Sequence, residues 1–149
     1  MKTQLIGSNF IDFILGNTDE CPDLGKLLQQ LDVLAHSVYV PEFKFDEKEY
    51  PEPPETDYSE IRVIIEKKFP ELGFYCTVDF DVENIETSKV LTGDAVDDLA
   101  DIVGDLIDVK WYFENTSENN ALWHFEFDYK SHWGLHLREL QLFLHKLWR

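Results

Sequence analysis

The chain has 149 residues, with 30 acidic side chains against 13 lysines and arginines, which gives a formal net charge of −17. Nucleic acids and anionic membrane surfaces both attract basic segments, so this charge argues against direct binding to either. Hydrophobic residues make up 44% of the chain and aromatic residues 14%, which excludes a disordered acidic chain and is enough to build a core. We therefore expect a single domain over residues 1–149.

The two cysteines and the first residues bear on where the protein works. Cys21 and Cys76 lie far apart in sequence, without a second cysteine or histidine at ligand spacing, which is typical of reduced thiols rather than of a disulfide framework or zinc ribbon. The first residues lack the long apolar run of a signal peptide, and no apolar run is long enough to span a membrane. The sequence therefore predicts a soluble, cytoplasmic protein.

The first half of the chain is predicted to hold three helices and a loop. Apolar residues recur at helical intervals over residues 3–16, 23–39 and 61–69. Between the second and third helices, residues 41–57 combine four prolines with many acids, which predicts a long, exposed acidic loop. Residues 72–85 alternate only weakly and are expected to be extended or irregular.

The second half contains the clearest helix, over residues 93–115, where valine, leucine and isoleucine recur with helical period. Residues 123–129 alternate aromatic and polar side chains, as a strand would. A helical pattern that includes the same aromatic residues continues to the end of the chain, so we favour a helix over 118–148. The predicted fold class is all-α: a single-domain bundle of five or six helices with a long acidic, proline-rich loop.

Acidic residues concentrate in residues 79–108, which carry ten acids and one lysine. Five aspartates there are spaced by four, three, four and three residues, which places them on one face of a helix. They are Asp94, Asp98, Asp101, Asp105 and Asp108. This face is either solvated or directed at something positive: a metal ion, protonated histidines or a basic partner.

Histidines follow in the C-terminal helix, where His132 and His136 stand four residues apart on one face, a spacing that helical metal sites use. Counting back by fours extends this face to Asp128 and His124. Gly134 costs about 1 kcal/mol in a helix interior relative to alanine, which predicts a close helix–helix approach there, with the neighbouring Trp133 as a core anchor and both residues at the interaction surface.

Three interpretations of the histidines stay open. They hydrogen-bond the aspartates of the acidic helix and hold the fold together, or they are simply surface residues, or they bind a divalent metal. The metal ligands would be His132 and His136 together with aspartates of residues 94–108. The candidate aspartates are Asp98, Asp101 and Asp105. The chain has no H-E-x-x-H motif, no phosphate-binding loop and no nucleophile elbow, so the sequence assigns no catalytic residue.

Two motifs in the second half match a known family. Residues 98–102 read Asp-Leu-Ala-Asp-Ile, and they are followed downstream by Trp123 and by His-Trp-Gly-x-His at 132–136. This order and separation resembles a family of small bacterial proteins known as domain of unknown function 5063. The resemblance implies a helical fold and a bacterial, cytoplasmic setting, and it implies no activity.

Strong acidity without recognisable catalytic machinery leads to the functional expectation. We expect a non-catalytic, acidic helical protein that acts through protein–protein contact, with a basic partner steered to residues 79–108. The alternative is a divalent-metal-binding protein or metal-dependent enzyme that uses His132, His136 and the facing aspartates. Mimicry of the charge of DNA is a third hypothesis, which rests on net charge alone.

Overall fold

The computed structural model describes residues 3–17, 20–39 and 41–147, and most of these residues are helical. The helices in these ranges are α1 (Thr3–Leu15), α2 (Leu24–Ser37), α3 (Tyr58–Lys68), α4 (Ala95–Asn115), α5 (Glu118–Asp128) and α6 (Gly134–Leu147). The strands are β1 (Phe74–Asp79) and β2 (Lys89–Asp94), with a short 3-10 turn at Ile85–Thr87 between them.

The first three helices confirm the predictions from apolar periodicity. Aspartate caps set two of their starts: the Asp23 carboxylate accepts from the backbone N–H of Lys26 at 2.8 Å, and that of Asp57 accepts from Ser59 and Glu60. Such caps satisfy N–H groups that the first turn of a helix leaves without partners. The Asp57 cap explains why α3 begins three residues before its predicted apolar stripe.

Helix α4 lies at the centre of the fold and confirms the predicted helix over 93–115. The Asp94 side chain caps it by accepting from the backbone N–H of Val96 and Asp97. Helices α1, α3, α5 and α6 all pack against α4. Its apolar face is fully buried at Leu99 and Ile102 in the common hydrophobic core, so the aspartates that share this helix are held on a fixed scaffold.

The prediction of an all-α fold is wrong in one respect, because β1 and β2 form a small antiparallel sheet. Their register runs from Phe74 opposite Asp94 to Asp79 opposite Lys89. Aromatic and β-branched residues in both strands suit a pleated surface. The alternation is weak in sequence because only Tyr75 of β1 is buried. The fold is therefore mostly helical with a two-stranded hairpin.

The prediction of a helix rather than a strand after residue 118 is confirmed as far as residue 147, and residue 148 lies outside the described residues. A π-helical segment, Tyr129–Trp133, joins α5 to α6. There the N–H of Gly134 donates to the Tyr129 carbonyl five residues back. A Cβ on Gly134 would lie 2.3 Å from that carbonyl oxygen, so Tyr129 of the same helical run crowds this position, not another helix as predicted.

Residues 41–57 hold neither helix nor strand, and they lie against the N-terminus of α5. The Asp46 carboxylate accepts hydrogen bonds from the hydroxyls of Ser117 and Tyr50. The backbone N–H of Lys44 donates to Asn119 Oδ1 at 3.2 Å. These contacts fix the course of the segment and bring its final residues beside α4 and α5.

Candidate metal centre

Three carboxylates of α4 face the last helical run. Asp98, Asp101 and Asp105 are spaced by three and four residues, so successive turns of α4 present them on one side. Asp98 is only 6% exposed, and the other two are partly buried. The π segment and α6 pack against this face of α4 and bring their histidines to it.

Each histidine meets two of these carboxylates, one at each ring nitrogen. His132 Nδ1 lies 2.6 Å from Asp105 Oδ2, while its Nε2 lies 3.9 Å from Asp101 Oδ2. His136 Nδ1 lies 2.9 Å from Asp98 Oδ1, while its Nε2 lies 3.4 Å from the same Asp101 Oδ2. Both Nε2 atoms therefore converge on one oxygen of Asp101, and two other carboxylates hold the opposite sides of the rings.

The contact between His136 and Asp98 is an ion pair rather than a well-formed hydrogen bond. Nδ1 is buried and makes no hydrogen bond of acceptable angle, although Asp98 Oδ1 lies 2.9 Å away. The Asp98 carboxylate raises the pKa of His136 above its ordinary value, and burial opposes this effect. A positive charge at His136 is therefore stabilised mainly by proximity to Asp98.

The carboxylates pay an electrostatic cost for their position. Burial raises the pKa of Asp101, and the neighbouring Asp97 and Asp105 carboxylates raise it further, against the opposing effect of the two histidines. Burial also raises the pKa of Asp105, while the hydrogen bond with His132 lowers it. The cluster therefore holds more negative charge than its two histidines neutralise, and a cation placed among these groups would be attracted.

Three further side chains, two from the hairpin and one from α6, extend the cluster, and the sequence did not reveal them. The Tyr75 hydroxyl donates to Asp98 Oδ2 and lies 3.5 Å from Glu139 Oε2. The Thr77 hydroxyl donates to Glu139 Oε1 at 3.2 Å. Burial raises the pKa of Tyr75, so its phenol remains a protonated donor. Glu139 stands one turn after His136, a spacing that could have indicated it, whereas Tyr75 is remote in sequence from Asp98.

The other predicted site residues lie elsewhere. Arg62 of α3 pairs with Asp94 at 3.2 Å and with Asp97 at 2.6 Å, so the start of α4 is partly neutralised. Trp133 is fully buried in the core. Gly134 is buried beneath the Tyr129 ring and carbonyl. None of these residues contacts the histidine nitrogens described above.

Asp108, the last aspartate of the predicted stripe, lines a cavity of about 730 Å³ together with His124 and Asp128, and Asp105, the partner of His132, reaches the same cavity. Burial raises the pKa of Asp108 to about 6, and burial with the nearby aspartates raises that of Asp128 to about 7. The predicted helix face of His124, Asp128, His132 and His136 is therefore divided in two by the π segment. Its first half lines the cavity, and its second half, His132 and His136, reaches Asp101.

The geometry defines a mostly helical protein in which two histidines and a carboxylate converge on one point. The sequence matches the family described as "Domain of unknown function (DUF5063)" over residues 12–148, so the chain belongs to that family. It resembles the crystal structure of protein BF1032 from Bacteroides fragilis, with a TM-score of 0.74 and 21% identity over 99% of this chain and 90% of that chain. This likeness concerns the fold alone.

No curated protein matches the chain. Among the described helices, none has the length and apolar character needed to cross a bilayer.

Proposed function

We propose that the chain binds one divalent metal ion through His132 Nε2, His136 Nε2 and Asp101. The observation that carries this proposal is the convergence of both Nε2 atoms on Asp101 Oδ2, at 3.9 and 3.4 Å. The candidate ligand atoms all lie within 4.8 Å of one another. Ligands sit roughly 2.0–2.2 Å from zinc, so neighbouring ligands of a tetrahedral ion are about 3.4 Å apart. The observed separations need little adjustment to reach that value.

The Nδ1 contacts support metal binding over purely structural ion pairing. Metal-bound histidines commonly donate their second ring nitrogen to a carboxylate, which fixes the tautomer and the direction of the ring. Here Asp105 occupies that position for His132, and Asp98 Oδ1 lies 2.9 Å from His136 Nδ1, where it supports the ring by its charge rather than by a well-formed hydrogen bond. Histidines that served only to neutralise α4 would not need both rings to direct Nε2 at the same oxygen.

The chemistry of the ligands narrows the choice of ion. Two imidazoles and one carboxylate suit zinc, manganese, iron, cobalt or nickel better than magnesium or calcium, which prefer oxygen ligands. Three protein ligands leave at least one coordination position open, as in catalytic rather than structural zinc sites. The His132 side chain is 45% exposed, so water or a small molecule can reach that position.

A second ligand set shares one residue with the first and is the weaker choice. Asp98, His136 and Glu139 also bring ligand atoms within 4.8 Å of one another. Glu139 already accepts from Thr77, and Asp98 from Tyr75. With one imidazole instead of two, this set offers less to a transition metal. Asp98 and Glu139 are better described as neighbours that hold the His136 ring in position.

Metal content and affinity test the proposal. Tag-free protein is stripped with a chelator and titrated with zinc, manganese and nickel in a calorimeter. We expect one equivalent to bind, with Asp101→Asn and His132→Ala losing more affinity than the roughly 10–100-fold that second-shell changes cause. Glu114→Gln on α4 and His145→Ala on α6 remove an exposed group of the same kind and should bind as the parent does. A parent protein that takes up no metal, or ligand variants that bind equally well, would overturn the proposal.

Contact with a basic protein partner is a second candidate. Four acids at the end of β1 and in the connection to β2 favour it, because their side chains are exposed, whereas Asp98, Asp101 and Asp105 on α4 are turned inward. They are Asp79, Asp81, Glu83 and Glu86. We further propose a cytoplasmic setting, which the two exposed free thiols support.

A further inference from the structure

The β1–β2 hairpin has one face against the helices. Tyr75 is buried and stacks on Phe143 of α6, with ring centroids 4.6 Å apart. Thr77 donates to Glu139 of the same helix. Because side chains alternate between the two faces of a strand, this inner face accounts for every second residue of β1.

The opposite face is apolar and uncovered. Phe74 and Val78 of β1 point to it, and Val90 of β2 stands opposite Val78 in the register. Phe74 is 77% exposed and Val90 is 74% exposed. The hairpin contains only these two strands, so within the described residues each strand also has an edge without a partner. A row of large apolar side chains in this position is typical of an interaction surface.

The connection between the strands extends the apolar surface. Phe80, Val82 and Ile85 are all exposed, Ile85 by 87%. The Asp81 carboxylate accepts from the backbone N–H of Glu83, and Asn84 Oδ1 accepts from Glu86 in the same way, so local hydrogen bonds shape this connection. Exposing these apolar side chains to water is unfavourable, and no contact within the isolated chain compensates for it.

Charge indicates which partner would cover this surface. The apolar residues alternate with the exposed acids Asp79, Asp81, Glu83 and Glu86, and Lys89 is the one basic residue between positions 79 and 92. A second copy of this chain would bring the same acids and a net charge of −17 against them. A partner with lysines or arginines around apolar side chains would complement both properties.

Building on the second candidate function, contact with a basic partner, we propose that the outer face of the hairpin, with its connecting residues, docks a partner protein through a basic segment that also carries apolar side chains. This hairpin surface consists of Phe74, Val78, Phe80, Val82, Ile85 and Val90 with the acids Asp81, Glu83 and Glu86 of the connection. Its strand residues Phe74, Val78 and Val90 lie on the side of the sheet opposite Tyr75 and Thr77, so docking there is separate from metal binding.

The test uses labelled synthetic peptides and the metal-free full chain, with fluorescence anisotropy as the readout. A peptide that alternates lysine with valine should bind, more tightly at low salt than at high salt. Its glutamate–valine counterpart should not bind. A lysine–serine peptide should bind more weakly, since charge alone then acts. In the chain, Val78→Thr with Val90→Thr keeps β-branched residues and should weaken binding about tenfold.

Matched variants complete the experiment. Val63→Thr changes an exposed valine of α3 and should leave peptide binding unchanged. Glu83→Gln with Glu86→Gln should weaken binding, whereas Glu47→Gln with Glu49→Gln removes equal charge elsewhere and should not. The proposal is overturned if the lysine–valine and lysine–serine peptides bind alike, or if Val78→Thr with Val90→Thr has no effect. It is also overturned if light scattering shows a dimer that dissociates in the Val78→Thr, Val90→Thr variant, because a second copy of the chain would then cover the hairpin surface.

Discussion

The acidic residues 79–108 divide between two regions that use charge in opposite ways. On α4, Asp98, Asp101 and Asp105 are at least partly buried and each lies within 4 Å of a histidine nitrogen. On the hairpin surface, the acids are exposed among apolar side chains that have no cover. The acids of the first region face the protein interior and those of the second face solvent, although the two regions follow one another in the chain.

This difference teaches that net charge does not define a surface. Aspartates at helical spacing are most often a solvated face, yet here the packing of α6 on α4 turns them toward imidazole rings. Partial burial then makes unbalanced carboxylates costly, which suits a cation site. The hairpin acids are exposed, so water solvates them and burial does not penalise their charge. Their charge can therefore attract a basic partner from a distance, more strongly at low salt.

The largest expected difference between the two regions is in how much a substitution lowers the free energy of unfolding. Trp133 is fully buried behind the histidines, so Trp133→Ala should lower the free energy of unfolding by about 3–5 kcal/mol. Phe74 is an aromatic residue of the hairpin surface, so Phe74→Ala should change it by about 0.5 kcal/mol or less. Urea denaturation of metal-free protein measures both values. Equal losses would show that the hairpin surface is covered in the free chain.

A smaller effect concerns the helical run that carries the histidines. In Gly134→Ala the new Cβ meets the backbone carbonyl of Tyr129, which cannot swing away as a side chain can. We expect a loss of about 1–3 kcal/mol in the free energy of unfolding, despite the higher helix propensity of alanine. A gain in stability would mean that the π segment relaxes to a regular α-helix at no cost.

Next comes a test of the residue behind His136. Asp98→Asn keeps the shape and the acceptor oxygen but removes the charge beside Nδ1, so metal affinity should fall by roughly 10–100-fold. Glu114→Gln, which removes an exposed carboxylate farther along the same helix, should leave it unchanged. Competition with a chromophoric chelator measures the affinity. Equal values for the two variants would contradict the role given to Asp98.

The last comparison concerns the pH dependence of stability in metal-free protein. The pKa of Asp128 is raised to about 7 and that of Asp108 to about 6, both chiefly by burial. The folded chain therefore keeps protons that the unfolded chain releases near pH 4, so stability should fall as pH rises from about 4 to 7. Asp128→Asn should flatten this slope in thermal melts, whereas Glu114→Gln should not. A slope unchanged by Asp128→Asn would argue against this cause.

Much of the helical fold could be read from periodicity, because α4 and the final run carry apolar residues over many turns. The hairpin could not, since only Tyr75 of β1 is buried and the alternation is correspondingly weak. The exclusion of a strand at residues 123–129 succeeded because the helical pattern extends well beyond the alternating one.

The candidate site was readable only in part. Spacing placed His132 and His136 on one face and the α4 aspartates on another, and the structure brings these faces together. Spacing could not reveal which ring nitrogen meets which carboxylate, because that depends on the packing angle of two helices and on the π segment. Nor could it reveal Tyr75, which reaches Asp98 through the fold of the hairpin.

The most direct test of the account is to locate a bound ion. Crystals of tag-free protein grown with zinc are measured on both sides of the zinc absorption edge. The account predicts one anomalous peak about 2.0–2.2 Å from His132 Nε2, His136 Nε2 and a carboxylate oxygen of Asp101. A map without a peak at this point, or with its peak between Asp98 and Glu139, would contradict it.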